Sequence, residues 1–420
     1  MPEAAIAVVI PTRNRAEMAV NAVASVLAQG DPVRVFVSDN STDAGEREVL
    51  AARYDGDETV TYMRPEEPLP MTAHWEWAMR RVLDGSDCTH VTYLTDRMCF
   101  KRDALGDLRS LTSDHSGKVI TYNHDAVDDR VWPIALHQYP WSGKVLELNS
   151  AHLLWLSSRG VIRPPLPRML NTLAPREALE QVAARFGSVF DSIAPDFCFA
   201  YRCLDLQDSI LYYDKSLLIQ YGLDRSNGAS YSRGEQSRDR VDFEQHLGGR
   251  PMNFAAPVPE FQTIRNVMFH EYNYVRAESG SEKFPPVDPR AYMAAVVEDL
   301  SLIESPAVRG EMLDVLRDNG WSGGPKARYR AAVGAIGAGF RVWDVARGAM
   351  RGGTALARRL LPERRAEALR GAGIPVPAGL VGHESTADAI EYAEQHPLPR
   401  TEGTEHLEPL LDSSHELNRL

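Results

Sequence analysis

The sequence predicts an α/β fold: a Rossmann-like, mostly parallel sheet flanked by helices, with a helical C-terminal extension. Two observations predict it. Over the first hundred residues, short β-branched runs alternate with amphipathic helical stretches, the pattern of successive βαβ units. Toward the C-terminus, residues 288–318 and 326–350 are helical by period.

Taken in order, the strand-like runs are Ala5 to Ile10, Val33 to Ser38, Thr59 to Met63 and His90 to Leu94. Helical patterns lie between them at Ala16 to Ala28, Ala44 to Tyr54 and Met71 to Leu83. A further strand is expected at 117–122, followed by a polar, aromatic-rich stretch to about Ser150. From Ala151 to Arg202 the pattern is mostly helical, broken at Pro164-Pro165-Leu166-Pro167. Ser209 to Gln220 reads as one more strand, and the Gly-, Ser- and Arg-rich segment from Tyr221 to Arg240 is either a cover over a site or plain surface. Helical periods at 288–318 and 326–350 flank a glycine-rich hinge at Gly320 to Gly324. The expected units are 1–105, 106–250, a helical extension over 251–370, and a disordered acidic tail over 371–420.

Composition limits the function. The chain has 420 residues, 44% hydrophobic and 25% charged, which is globular composition. A net charge of −12 argues against nucleic acid as a partner, because neutralising phosphates needs a basic face. The four cysteines, Cys88, Cys99, Cys198 and Cys203, form no CxxC pair, so neither structural zinc nor a disulfide framework is expected, and a reducing cytoplasm fits best. The first residues, MPEAAIAVVIPTRNR, carry an acid where a signal peptide has a basic leader, and no run approaches the ~18 apolar residues of a membrane span. The segment 341–370 is locally basic, eight arginines against three acids, and offers a means of peripheral contact with an anionic inner membrane face. Docking of that segment on the chain's own core or on a second copy is the competing expectation.

In open sheets of this kind ligands sit beyond the carboxyl ends of the strands. The residues there are Pro11-Thr12-Arg13-Asn14-Arg15, Asp39-Asn40-Ser41-Thr42-Asp43 and Thr95-Asp96-Arg97. Pro11 ends its strand, and Thr12 to Arg15 lead into a helix whose free N–H groups favour a polar or anionic ligand. Asp43 stands where a helix N-cap is needed. Pro195 and Asp196 open an amphipathic helix 100 residues beyond Asp96, where an acid complements the helix dipole.

The strand and turn VVIPTRNR, the helix AVNAVASVLAQ, the strand VRVFVSDNSTD and the hydrophobic strand ending at Asp96 together resemble the donor half of the GT-A glycosyltransferases, specifically family 2. The resemblance is good over about residues 5–105 and loose over 105–230. It implies a nucleotide-sugar donor, of UDP or dTDP type, and inverting transfer to a hydroxyl acceptor on a glycan, a lipid-linked molecule or a small molecule. Pro11, Thr12, Arg13, Arg15, Asp39 and Trp75 would bind the donor, with Asp39 reading the base. Asp96 and Arg97 would address the diphosphate, and Asp196 would be the catalytic base. The family normally has a second acid near Asp96 to hold Mn²⁺ or Mg²⁺. Here the triplet is Thr95-Asp96-Arg97. Either Arg97 supplies the positive charge and the metal is weak or dispensable, or Asp96 alone binds it, or the chain is a non-catalytic module that holds a nucleotide sugar or a partner. Of Trp75 and Trp77, which cannot share a helix face, one is expected in the core. Arg225 and Arg233 are candidates for a lid over the diphosphate, with solvated surface the commoner outcome. His270 and Glu271 could reach a metal, but a lone histidine beside an apolar run is expected to be a satisfied core residue.

Overall fold

A computed structural model describes residues 5–30, 32–130, 132–161, 165–226, 238–245, 254–303, 305–318, 333–342 and 382–402, together with Ser230 and Ala331. The first half is a run of parallel units: β1 (Ile6–Thr12), α1 (Ala16–Leu27), β2 (Val33–Asp39), α2 (Ala44–Tyr54), β3 (Val60–Met63), α3 (Met71–Gly85) and β4 (His90–Tyr93). β1 lies at the centre of this half, parallel to β2 on one side and to β4 on the other, and β2 pairs with β3. Because successive side chains alternate between faces, Ala7 and Val9 enter one core with α3 and Ile6, Val8 and Ile10 enter another with α1. Burial on both faces is why β1 reads as an unbroken apolar run.

The second half completes a ten-stranded sheet of order β3-β2-β1-β4-β9-β6-β10-β5, with β7 paired to β6 and β8 to β10 off this path. Its elements are β5 (Met98–Phe100), α4 (Ala104–Asp114), β6 (Ile120–Asp128), β7 (Ala135–His137), β8 (Val145–Asn149), α5 (Ser150–Ser158), β9 (Thr172–Pro175), α6 (Arg176–Phe186), α7 (Pro195–Leu206) and β10 (Ser209–Gln220). β9 joins the halves by running antiparallel to both β4 and β6. The sequence pattern hides it: four residues, Thr172-Leu173-Ala174-Pro175, fall inside a stretch of helical period. β7 and β8 also emerge from what reads as a polar loop.

Helices α8 (Arg238–Gln245), α9 (Ile264–Ser279), α10 (Pro289–Leu302) and α11 (Pro306–Asp318) follow, and residues 333–342 are helical. α9 packs on α7, so the extension shares the core of the sheet domain. Most of the basic segment 341–370, and Arg233, lie outside the described residues.

The expected disorder of 371–420 does not hold at 382–402. Here α12 (Thr386–Gln395) buries Ala389 and Ala393 against Val127, Leu136 and Ile219. Ile134 bridges to His383, the Trp141 indole donates to the Leu398 carbonyl at 2.9 Å, and the Thr401 N–H donates to the Trp141 carbonyl at 2.8 Å. Acidic composition concealed this because two alanines with Ile390 and Tyr392 make the whole apolar face, too small a signal to stand out. Among the described residues no helix is long and apolar enough to cross a membrane.

Candidate functional site

The carboxyl ends of β1, β2 and β4 form one rim. The β1 and β2 turns are tied together by Asn14, in left-handed backbone at φ 54°, whose Oδ1 accepts from the N–H groups of Thr42 and Asp43 at 2.9 Å each. Asp43 caps α2 by accepting from the N–H groups of Gly45 and Glu46. Glu46 in turn accepts from the Ala16 N–H at 2.6 Å, at the start of α1.

Thr12, the last residue of β1, pairs in register with Asp39. Its hydroxyl donates to Asp96 Oδ2 at 2.9 Å, and the same oxygen receives Arg15 Nε at 3.1 Å. Asp96 is buried, whereas Arg15 is partly open to solvent. Thus three of the expected donor residues converge, and the guanidinium facing Asp96 is Arg15. Arg97 stands differently. Its stem lies against Gly222, whose left-handed backbone (φ 64°) leaves room for it, and its Nη1 reaches the Gly222 carbonyl only at the outer limit of a hydrogen bond, 3.5 Å.

Asp39 is wholly buried. Its Oδ1 accepts from the Ser41 N–H at 2.8 Å, and its Oδ2 accepts from Tyr62 Oη at 2.8 Å and faces Arg64 at 3.5 Å. Burial and the neighbouring carboxylate push the Tyr62 phenol up to about 12, so it remains a donor to Asp39. Sequence reading missed Tyr62 and Arg64, because only strand pairing brings the end of β3 beside the end of β2.

Arg13 donates to the Leu69 carbonyl at 3.3 Å, and Asn40 clamps Leu69 through its side-chain amide, 2.8 Å to the carbonyl and 2.8 Å from the N–H. The buried His74 ring meets the Ser38 hydroxyl at 2.7 Å; burial first, then the Arg13 charge, lower its pKa to about 3, so it is neutral. Trp75 is the core member of the tryptophan pair. Its ring packs on Tyr93 and Phe190, with centroids 5.2 and 5.4 Å away, whereas Trp77 is only partly buried, under Arg81. A ring enclosed by two aromatics reaches the donor rim only through the backbone around it.

Asp196 opens α7. Burial raises its pKa, while the Arg168 charge and the N–H groups of Phe197 and of Asp196 itself pull it back down. Arg168 also lies over the Phe197 ring at 5.7 Å and, after burial, helps hold His124 down at about 4. Since β9 runs antiparallel to β4 and β6, the segment entering it lies at the same rim as Asp96, and His124 stands midway along β6, beyond the residues that pair with β9. Thr72, in the first turn of α3, donates to the Ser192 carbonyl at 3.0 Å and so ties the loop before Asp196 to the donor half. Arg168 and His124 give no sequence signal of their own: one is an arginine among forty, the other sits mid-strand.

Arg225 donates to the Asn14 carbonyl at 3.0 Å, against the first turn, and Asp129 accepts from the N–H groups of Gly222 and Leu223 at 2.7 and 2.9 Å. His270 is a satisfied core residue, and all four cysteines are buried free thiols.

Asp96 is a single carboxylate whose Oδ2 already faces Thr12 and Arg15, and among the described residues no three His, Cys, Asp or Glu side chains gather. Hard cations take six or more oxygens. The described residues by themselves do not make a protein-held Mn²⁺ or Mg²⁺ site.

Residues 7–154 match the family model described as Glycosyl transferase family 2. Over this segment the chain is similar to the family 2 glycosyltransferases. The segment holds β1 through most of α5, including the rim of Thr12, Asp39 and Asp96, and ends before Asp196. The fold is of the GT-A kind. Similar solved structures include the crystal structure of S. aureus TarS 1-349 in complex with UDP-GlcNAc, 13% identical, covering 80% of this chain and 91% of that one at a TM-score of 0.44. The crystal structure of S. aureus TarS is 14% identical and covers 75% of this chain and 54% of that one at a TM-score of 0.41. Likenesses this distant carry no inference about substrate. No curated protein sequence matches the chain.

Proposed function

We propose that the chain is an inverting glycosyltransferase that moves a sugar from a nucleotide-diphosphate donor of UDP or dTDP type to a hydroxyl acceptor. Asp196 takes the acceptor proton as the acceptor oxygen bonds to the anomeric carbon. The bond from that carbon to the diphosphate breaks, and the electron pair leaves with the diphosphate. The observation that carries this reading is the pairing of two differently held carboxylates. Asp96 is held by Thr12 and Arg15, whereas burial raises the pKa of Asp196, as suits a group that must accept a proton.

Asp39 would accept from a pyrimidine N–H, which requires Tyr62 or Arg64 to yield part of its hold. Positive charge for the departing diphosphate would come from Arg15 and Arg97, fixed guanidinium groups that bond phosphate in two places. Pro11 and Arg13 would shape the turn beneath the ribose, and Trp75 would act from the core by holding α3 in place.

The experiment is a thermal-shift panel of UDP-, dTDP- and GDP-sugars with Mn²⁺ or with chelator, followed by nucleotide release from whichever donor stabilises. A pyrimidine donor that stabilises in chelator is expected. Stabilisation only with metal defeats the arginine role and leaves Asp96 as a ligand. An Asp196→Asn variant that releases nucleotide as fast as the wild type removes the base.

A further inference from the structure

The loop that delivers Asp196 is held by a buried polar chain from the C-terminal extension, outside the segment that matches the family. Glu271, on α9, is fully buried. Its Oε1 accepts from the Ile193 N–H at 3.0 Å and the Ala194 N–H at 2.6 Å. Ala194 is the N-cap residue of α7 and offers no side-chain cap, so these two bonds anchor the backbone immediately before Pro195 and Asp196. The Ala255 N–H donates to His270 Nδ1 at 3.0 Å, which leaves the proton of the neutral ring on Nε2. Nε2 then donates to Ser192 Oγ at 2.8 Å, and the Ser192 hydroxyl is a partner of the Glu271 carboxyl. Ser192 itself is in left-handed backbone, φ 65°, a conformation that a non-glycine residue keeps only when its surroundings impose it.

Further contacts from the same helix face grip the segment from its other side. Tyr274 donates to Asp191 at 2.7 Å, and the buried Arg202 guanidinium bridges Glu278 at 2.9 Å and Asp191 at 3.3 Å. Residues 271, 274 and 278 are spaced to share one face of a helix. Among the described residues Glu271 Oε2 is buried with no hydrogen-bond partner, an arrangement that calls for a reason. A group so enclosed cannot touch substrate, yet the Asp196 charge acts on it.

We propose that Glu271, relayed through Ser192 and His270, is a positioning residue that fixes the first turn of α7 so that the Asp196 carboxylate faces the acceptor hydroxyl. This rests on Asp196 being the base. The extension is thereby part of the working site rather than an appendage to it.

The test uses the full chain and follows UDP or dTDP release from a panel of their sugars, with water as acceptor, alongside nucleotide binding by calorimetry. Glu271→Ala is expected to lower kcat by at least about ten-fold, since small misplacements of a reacting group are costly, while nucleotide Kd stays within about two-fold. Glu271→Gln, which keeps the accepting oxygen, is expected to return most of the rate. Behind Asp196→Asn, adding Glu271→Ala is expected to cost nothing further. Equal losses from Glu271→Ala in both backgrounds, or no loss in either, overturn the proposal. Should Glu271→Ala fail to fold, Ser192→Ala carries the same comparison, with the same outcomes for and against. An Asp196→Asn variant at the wild-type rate instead overturns the base assignment, and no release from any donor by the wild type removes the donor reading and this inference with it.

Discussion

The two halves of the sheet are built by different means. From β1 to β3 each strand is followed by a helix, and the parallel neighbours β1–β2 and β2–β3 are one crossover apart in sequence. From β5 to β10 the sheet is closed by β9, which inserts antiparallel between β4 and β6, and by α9 and α12, which return from far along the chain. The first half therefore presents its site residues at predictable strand ends. The second half presents Asp196 through contacts that span tens of residues, such as Glu271 to Ala194 and Thr72 to Ser192. A site assembled across such a seam depends on distant groups as much as on the residues that meet substrate.

The largest expected effect tests whether the second half carries the chemistry. Asp196→Asn should lower kcat by ~10²–10⁴, the usual contribution of general base catalysis, with donor-induced thermal stabilisation retained. A loss of donor binding in that variant would move Asp196 into the donor subsite and erase the division between halves.

Next in size, Arg15→Ala should leave the buried Asp96 without its cation and cost up to about 3 kcal/mol of unfolding free energy in urea. A variant as stable as the wild type would mean that Thr12 alone satisfies Asp96.

A third measurement reads the seam itself. Burial raises the Glu271 pKa from 4.5 to about 8, although its backbone and Ser192 bonds act to lower it. The folded chain thus holds a proton that the unfolded chain has released. Stability from this group is complete below pH 4.5 and is lost as pH rises through about 8. Between pH 6.5 and 8 the wild type should lose about 2 kcal/mol that Glu271→Gln does not lose, seen as a difference in the slope of chemical unfolding against pH. Parallel slopes would mean that Glu271 is already ionised in the native state.

The smallest effect belongs to a contact between the halves. Gly222→Ala places a Cβ at 3.0 Å from Met18 and 3.4 Å from Arg97 at a positive φ, and should cost about 1 kcal/mol. If Arg97 serves the diphosphate, the same change should weaken donor binding in chelator.

The alternation of β1 to β4 with their helices, and Asp39, Asp43 and Asp96 at strand or helix ends, follow from local patterns of period and capping that the chain carries in any stretch of a few turns. Asp196 was legible for a related reason, because Pro195-Asp196 marks a helix start whatever surrounds it. Residue order could not give the partner of Asp96. Arg15 and Arg97 are both a few residues from that carboxylate in sequence or in space, and only the packing of Arg97 along Gly222 decided between them. Nor could it give β9, too short to show a period, or α12, whose apolar face is too small to outweigh its acids. Glu271 is the clearest case: beside an apolar run it carries no signal of a structural role, and its place under the α7 N-terminus comes only from the packing of α9 against α7. Local hydrogen bonding and side-chain period act over a few residues and are written in the sequence. Burial and pairing across the sheet depend on where the whole chain closes, which tertiary structure alone decides.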